Sequence, residues 1–440
     1  MGQSMETSYN LKNTTIKQVC LVVLGILAGW ILLTAAYSIP TARINDNIEN
    51  SARYFKETYP RFTFYGSTQL DLFTDALMLL TSGYNNTEPS YVASLLNNRI
   101  GYSGKNPAQT LYHAYSKNNE INSTSADSQN VISYARYWHG YASILKPLLA
   151  CPGLHYGHIR SINTVIQLGL FALFCVGLIK LHKIELVPAF VICWVFMNPL
   201  CTTMCMQFST CTIITFAALN YIVYKLAKGR ENLPFCGIFF TCIGIVTSYL
   251  DLLTFPLITL GIPLLTYMCL RDEKDSIPLF ESVKKIVFLG WSWCIGYAGM
   301  WAGKWVLATL VTDENIIANA YNAMLIRASS VNKTDHFNVL DVLVKQVHAM
   351  DLIVLISFVF AIICSFYILF RKYGKTSLKE NSNAVLYLLI MIMPVFWYSV
   401  LKNHAYMHGY FTYRNLAVSV LAIMLILTSF LKTKEERIQV

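Results

Sequence analysis

Residues 19–38, with the sequence VCLVVLGILAGWILLTAAYS, decide the fold class because they form an uncharged apolar run long enough to cross a bilayer. A helix needs about 20 such residues to span the hydrocarbon core. Pro40 closes the run, and no A-x-A cleavage site follows it. We therefore interpret the run as a membrane anchor and not as a signal peptide that is removed.

The composition of the whole chain agrees with that interpretation. Of the 440 residues, 55% are apolar and 13% are charged. Soluble proteins carry about a quarter charged residues, so this chain has too little polar surface to coat a water-soluble globule. A cytosolic enzyme, a disordered chain and a disulfide scaffold are excluded, as is a strand-rich barrel, whose segments would alternate. The net charge of +10 favours anionic lipids or phosphates over nucleic acid as partners.

Nine further apolar runs predict an all-α polytopic membrane protein with about ten transmembrane helices. They cover residues 162–180, 186–200, 208–226, 234–250, 254–270, 286–308, 352–370, 384–401 and 415–431. The predicted boundaries are 1–18 for a cytoplasmic tail, 19–40 for the first span, 41–160 for a large external loop domain, 161–308 for spans two to seven, 309–351 for a second external loop, 352–431 for spans eight to ten and 432–440 for a cytoplasmic tail. Around Pro199 and Pro256 two runs nearly touch, so either pair could be one broken helix or a re-entrant hairpin.

The distribution of basic residues orients these spans. With the N-terminus in the cytoplasm, most Lys and Arg residues that flank the spans fall on the cytoplasmic side, whereas the three short outer loops hold only Lys402 and Arg414. Cytoplasmic loops are enriched in Lys and Arg. The pattern predicts a multi-pass protein of the plasma membrane with both termini in the cytoplasm.

Both long outer loops are predicted to be ordered and to lie on the membrane surface. Each contains a stretch with apolar residues at helical spacing, QLDLFTDALMLL (69–80) in the first loop and FNVLDVLVKQV (337–347) in the second. Polar chemistry also collects on this side. Of the nine histidines, only His182 is internal in the predicted topology, although the length of the outer loops could by itself explain that bias.

Three external aspartates are candidate bases. Asp71 and Asp75 lie four residues apart in the first predicted surface helix and therefore share one face. If they are partly buried, such a pair has raised pKa values that suit a general base, whereas on a solvated face it has no such role. Asp46, just beyond the first span, is a third carboxylate of this kind.

Two charged residues lie beside or within apolar runs. Asp251, in the segment SYLDLLTFP (248–256), has no basic neighbour in the sequence, so it either serves a polar cavity or caps a helix. Lys304 lies between Trp301 and Trp305. It either extends to the interface beside these aromatic anchors or supplies a positive charge for a phosphate.

Residues 402–414, KNHAYMHGYFTYR, form the richest polar cluster, with His404, His408 and Arg414. The two histidines have the i, i+4 spacing of metal ligands, but no acidic residue is near them, so we assign no metal site here. We favour an anion site over a merely interfacial loop.

A second cluster, YARYWHGYASILKP (134–147), places Arg136 and His139 beside three tyrosines and a tryptophan. Flat rings for stacking and donors for oxygen atoms suit a sugar or phosphate ligand. The sequence therefore offers two predicted binding segments on the same side of the membrane.

The layout resembles the GT-C superfamily of membrane glycosyltransferases, in which one helix precedes a large external loop with acidic residues and many helices follow. Several strings also resemble those of a multispanning family from Gram-positive bacteria. They are QLDLFTDALML (69–79), YARYWHGYASILKPLL (134–149), SYLDLLTFPLITLGIPLL (248–265), GYAGMWAGKW (296–305) and KNHAYMHGYFTYRN (402–415).

The GT-C resemblance implies a polyprenyl-phosphate-linked sugar donor on the outer face, a cell-envelope glycan or glycolipid as acceptor, and an external Asp as base. Asp75 and Asp71 rank ahead of Asp46, because RINDNIEN (43–50) lacks the adjacent acidic pair that many family members carry. The residues expected to bind substrate are Asp251, Lys304, Arg136, His139, His404, His408 and Arg414. No cofactor is assigned, and a divalent cation stays an open alternative.

The sequence thus predicts an inverting membrane glycosyltransferase. The main alternative is a polysaccharide or lipid transporter, or flippase, without transferase activity. A polysaccharide polymerase or ligase of a different fold is a third interpretation. The absence of a nucleotide-phosphate loop from the sequence argues against a nucleotide-sugar donor and against an ATP-driven pump.

Overall fold

The structure, a computed structural model, describes residues 2–58, 70, 72–115, 129–228, 233–271, 278–332, 335–350, 352–373 and 382–429. Asp71 therefore lies outside the described residues. The described chain is mostly helical, and its strands form two small antiparallel pairs. The all-helical class predicted from the apolar runs is confirmed.

The helices and strands follow one another along the chain with short connections. The helices are α1 (Gly2–Tyr37), α2 (Asn45–Thr58), α3 (Leu72–Gly83), α4 (Ser90–Leu96), α5 (Pro107–Tyr115), α6 (Ala142–Leu149), α7 (Tyr156–Lys180), α8 (Val187–Phe196), α9 (Pro199–Met204), α10 (Met206–Ala227), α11 (Leu233–Leu250), α12 (Ile258–Arg271), α13 (Leu279–Val311), α14 (Ile316–Ala328), α15 (Val339–His348), α16 (Leu352–Tyr373), α17 (Ser382–Met391), α18 (Met393–Val400), α19 (Lys402–Met407), α20 (Gly409–Thr412) and α21 (Ala417–Ser429). The strand pairs are β1 (Arg99–Tyr102) with β2 (Gln129–Ile132), and β3 (Val331–Asn332) with β4 (Asp335–His336).

Four helical segments of the described chain are long and apolar enough to cross a membrane. They are Asn13–Tyr37, Tyr156–Lys180, Met206–Ala227 and Gly409–Ser429. Shorter apolar helices coincide with several of the other predicted runs, among them α11, α12 and the pair α17–α18. The length and composition of these helices are those of a membrane protein.

The two ambiguous runs are both interrupted. At the first, Asn198 adopts a left-handed conformation with φ of 57°, which ends the helical path of α8 before Pro199 begins α9. The run at 186–200 is therefore divided into short helices. At the second, α11 ends at Leu250 and α12 begins at Ile258, so a buried turn joins two helices.

The turn between α11 and α12 is closed by Asp251. Its carboxylate accepts hydrogen bonds from the Thr254 backbone N–H at 3.0 Å and from the Thr254 hydroxyl. Leu253 lies between them at φ 64°, a conformation that is rare for a residue with a branched side chain. Asp251 therefore closes the turn between the two helices, because the residue that donates to it, Thr254, precedes the start of α12.

The most extensive contact between two helices joins α11 and α13, and glycine residues allow their backbones to approach closely. A Cβ atom at Gly244 would meet the carbonyl oxygen of Trp293, and one at Gly296 would meet the carbonyl oxygen of Thr241. Each helix thus presents a glycine to the backbone of the other. Small residues at such crossings allow membrane helices to approach closely.

The 41–160 domain is ordered where described, and it packs on the helical bundle through α2, α3 and α6. The helix predicted at 69–80 corresponds to α3, and most of its side chains are buried against other parts of the chain. Its position at the membrane surface stays a prediction. The helix predicted at 337–347 is confirmed as α15. The Asn338 side chain accepts from the backbone of Asp341, and the Asp341 side chain accepts from the backbone of Asn338, in a capping box.

We expect Gly296→Ala to lower the free energy of unfolding by about 1–3 kcal/mol, the usual cost of overpacking. The added methyl group would meet a backbone carbonyl, which cannot move without shifting α11. Gly290→Ala on the same helix is the matched control, since its Cβ would have no neighbour within 4 Å. The measurement is the midpoint of thermal unfolding in detergent, and equal midpoints for the two variants would contradict the close crossing.

Candidate functional site

A polar cavity of about 480 Å³ lies between α14, the β3 strand and α19. It brings together three residues that were predicted from sequence to bind substrate, Arg136, His404 and His408. The residues that line it are Arg136, Asn319, Asn322, Ala323, Ile326, Arg327, Asn332, Asn403, His404, Met407 and His408. Two segments far apart in the sequence, the predicted clusters at 134–147 and 402–414, therefore meet at one site.

Two guanidinium groups give the cavity its charge. Arg136 donates from Nη1 to Oδ1 of Asn319 at 3.2 Å, and its guanidinium lies 4.8 Å from the ring centre of Tyr134. Arg327 donates from Nη2 to the Tyr137 hydroxyl at 3.0 Å. The Nε of each is buried and has no hydrogen-bond partner among the described residues. Buried donors of this kind normally have partners, and an oxyanion would supply one.

The two histidines of the cavity are neutral bases held in place. His404 Nε2 lies 2.8 Å from the Leu253 carbonyl oxygen, which accepts a hydrogen bond from it. Burial, with smaller contributions from His408 and Arg327, lowers the pKa of His404 to about 3. Burial and then Arg327 also lower the pKa of His408, whose ring stacks on Phe411. At neutral pH the positive charge of the cavity therefore comes from its two arginines.

Side-chain amides complete the wall. Asn403 donates from Nδ2 to the Ile326 carbonyl at 3.0 Å and so joins α19 to the end of α14. Its Oδ1 is buried without a hydrogen-bond partner among the described residues. Amides offer both a donor and an acceptor, which is what hydroxyl groups of a sugar require. The cavity can therefore bind an oxyanion attached to a hydroxylated group.

Sequence reasoning missed Arg327 and the asparagines of the cavity. A signal was present in α14, where Asn319, Asn322 and Ile326 repeat at helical spacing and form one face. Asparagine is uncharged and common in loops, so the pattern was not distinguished from ordinary loop polarity.

Asp75, the preferred base, lies away from the cavity wall in a buried ion pair. Its Oδ2 is 3.5 Å from Nη2 of Arg160, and both side chains are almost fully buried. Its Oδ1 accepts from the Gln207 backbone N–H at 3.4 Å, at the start of α10. Neither Asp75 nor Asp251 belongs to the wall of this cavity. The charge of Asp75 is matched by Arg160, and the carboxylate of Asp251 is used in the turn.

The other residues that were predicted to act as a base or to bind substrate are described in turn. Asp46 is exposed on α2, and Asp71 is outside the described residues. Lys304 is buried and donates from Nζ to the Leu95 carbonyl at 2.8 Å, which ties α13 to α4. His139 is buried between the Tyr141 hydroxyl and the Tyr134 carbonyl. Arg414 donates from Nε to the Met197 carbonyl at 2.7 Å. Asp46, Lys304, His139 and Arg414 are therefore absent from the described wall of the cavity.

A divalent cation does not fit this cavity. Mg²⁺ and Ca²⁺ prefer carboxylate and carbonyl oxygens, whereas this wall carries two guanidinium groups and two imidazoles. Among the described residues, no three His, Cys, Asp or Glu side chains form a group that could hold a metal ion. The site is suited to an anion.

Arg160→Met is expected to destabilise the protein by about 3–5 kcal/mol, because it leaves the Asp75 carboxylate buried without its partner. The double variant Asp75→Leu with Arg160→Met should recover most of that loss. Arg53→Met is the control, since the Arg53 side chain is exposed and interacts with Glu49 and Asn50 of its own helix. The measurement is the midpoint of thermal unfolding of the three variants in detergent. Equal midpoints for Arg160→Met and Arg53→Met would exclude a structural role for the buried pair.

Anion binding is expected to strengthen as the pH falls. The pKa of His408 lies below its ordinary value, so the ring is neutral at pH 7. An anion beside the ring raises that pKa, binding then takes up a proton, and affinity rises by at most about tenfold per pH unit. The Kd of a phosphodiester lipid between pH 8 and pH 6 measures this. His408→Asn should flatten the profile, and an unchanged slope would exclude His408 as the group responsible.

Comparisons with known proteins found no match among family models, curated proteins or solved structures. The cavity and its surroundings are therefore the basis on which a function can be assigned.

Proposed function

We propose that the chain is a membrane glycosyltransferase of the GT-C kind, which moves a sugar from a polyprenyl-phosphate-linked donor to a cell-envelope glycan or glycolipid. The observation that carries the proposal is the cavity with two arginines, two neutral histidines and four asparagines in one wall. Guanidinium groups recognise phosphate, and amides recognise hydroxyl groups. A sugar phosphate contains both.

In this proposal the phosphate of the donor lies against Arg136 and Arg327. When the glycosidic bond breaks, negative charge grows on the leaving phosphate, and two fixed guanidinium groups in a partly buried site stabilise it. His408 is neutral before binding, so it can gain a proton as that charge develops. The asparagines orient the sugar.

The acceptor hydroxyl needs a base, and the described wall of the cavity contains no carboxylate. Four aspartates are the candidates: Asp46, Asp71, Asp75 and Asp251. Asp46 is exposed, Asp75 is paired with Arg160, and Asp251 lies in the turn whose Leu253 carbonyl accepts from His404. Single asparagine variants keep the size of each side chain and remove its basicity, so they assign the role.

The membrane arrangement is part of the proposal. We propose about ten spans, both termini in the cytoplasm of a plasma-membrane protein, and the 41–160 domain and the cavity on the outer face. Support comes from the coincidence of the described helices with the apolar runs and from the distribution of Lys and Arg along the chain. On that face a sugar carried on a polyprenyl phosphate would meet an envelope acceptor.

A lipid-phosphate transporter or flippase is the second candidate, and one observation favours it. The described wall, with its cations and amides, is suited to a phosphate-bearing lipid and contains no carboxylate to act as the base for sugar transfer. The two candidates therefore share the ligand and differ in whether the glycosidic bond is broken.

Arg327→Gln is expected to weaken donor binding about tenfold or more, since a charge-assisted hydrogen bond contributes roughly 1.5–3 kcal/mol. Donor binding and sugar transfer are measured separately in nanodiscs that contain a polyprenyl-phosphate-linked sugar. Arg53→Gln, which changes an exposed arginine away from the cavity wall, should leave both unchanged.

The asparagine variants of the four aspartates complete this experiment. The variant that loses the base should lower turnover by roughly 10² or more while donor binding persists. Full transfer in all four variants would exclude these aspartates as the base. Donor binding without any transfer by the unmodified chain would reject the transferase in favour of the transporter.

A further inference from the structure

The helix α15 has three distinct faces. Its buried face holds Val342 and Gln346, and Gln346 donates to the Ala405 carbonyl at 2.8 Å. Two other faces are exposed. The apolar one consists of Leu340, Val344 and Val347, and the polar one consists of Asp341, Lys345 and His348. At 100° per residue, the apolar residues span a narrow stripe, and the polar residues form the sector beside it.

Such a division is expected of a helix that lies in the plane of a membrane surface. One face packs on protein, the next faces lipid, and the third faces water. A helix on a purely aqueous surface has no reason to separate its exposed residues in this way. Leu340, at 70% exposure, would gain by moving from water into lipid.

The helix α14 has a similar division, and one of its faces is the wall of the cavity. Asn319, Asn322 and Ile326 face the cavity. The side chains of Ile317, Tyr321, Met324 and Leu325 are exposed on another side of the helix. The helix thus separates a cationic cavity from an apolar outer face.

The chain on both sides of these helices continues the apolar surface. Near the end of α13, Val306 and Leu310 are exposed, Leu310 to 78%. At the start of α16, Leu352 and Ile356 are exposed as well. Because α14 begins a few residues after α13 and α15 ends a few residues before α16, both ends of this segment lie at the level of apolar helices.

We propose that α14 and α15 lie in the interface of one membrane leaflet, with their apolar faces in lipid. The mouth of the cavity is then at the membrane surface, and its ligand is a lipid whose anionic headgroup contacts Arg136 and Arg327 while its chain stays in the leaflet. The second half of this proposal rests on the proposed function, but the position of the helices does not.

The position of the helices is tested with single cysteines that carry an environment-sensitive fluorophore. The exposed native residues Cys20, Cys151 and Cys294 are first changed to serine, and the labelled background serves as the blank. In nanodiscs, a probe at Val344→Cys or Met324→Cys should emit at shorter wavelength and be quenched by doxyl-labelled lipid. A probe at Lys345→Cys should show neither effect.

Equal emission at Val344→Cys and Lys345→Cys would overturn the placement in the membrane. Short-wavelength emission at Val344→Cys without quenching by lipid would mean that protein, such as a second copy of the chain, covers the face, and this also overturns it.

The ligand is tested by thermal unfolding of the full chain in nanodiscs with and without polyprenyl phosphate, and with inorganic phosphate added to the water phase. Polyprenyl phosphate should raise the midpoint, inorganic phosphate at equal concentration should not, and Arg327→Gln should lose the effect. Equal protection by inorganic phosphate would overturn the lipid ligand. Protection by polyprenyl phosphate without sugar transfer would reject the transferase and leave this inference intact.

Discussion

The buried ion pair between Asp75 and Arg160 is the interaction that fixes how α3 packs against the helical bundle. It joins α3 to the first turn of α7, and Asp75 also accepts from the start of α10. A buried charge is tolerated only where partners surround it, so α3 has one favourable position against the bundle. The segment that contains Trp138 contacts α13. There the indole of Trp138 donates to the Met300 carbonyl at 2.7 Å. Because Arg136 belongs to the same segment, this contact also places Arg136 at the cavity wall.

The arginines of the cavity differ from Arg160 in the charge of their hydrogen-bond partners. Arg160 is neutralised by a carboxylate, whereas Arg136 and Arg327 donate to an amide, a hydroxyl and a backbone carbonyl within the described part of the chain. Neutral partners hold a guanidinium in place and leave its charge uncompensated. An uncompensated charge in a partly buried site attracts an anion more strongly than the same charge in water. One arginine is thus neutralised inside the fold, and two keep their positive charge at the cavity.

The fold was predictable from the sequence to the extent that its signals are local. Apolar runs marked α1, α7, α8, α10 to α13, α16 to α18 and α21, and the amphipathic pattern at 337–347 marked α15. The roles of individual cations were not predictable, because their partners are backbone carbonyls from distant segments. Lys304 binds the carbonyl of Leu95, and Arg414 binds that of Met197. Every residue has a backbone carbonyl, so a carbonyl partner cannot be recognised from the sequence. These cations therefore resembled ligand-binding residues, although they form hydrogen bonds within the protein. Arg136 and His404, which were predicted to bind substrate, lie at a common site, because the two polar clusters that contain them both reach the cavity.

The packing of α14 has an energetic consequence. Within its thirteen residues, Ile316 and Ala320 are the buried side chains, so little apolar contact is lost if the helix moves away from its neighbours. Segments with few buried contacts open locally at a small fraction of the free energy of global unfolding. The tightly crossed helices α11 and α13, by contrast, have backbone against backbone at their glycines and cannot separate without disrupting the bundle. Displacement of α14 would therefore widen the cavity at a smaller cost in free energy than separation of α11 from α13.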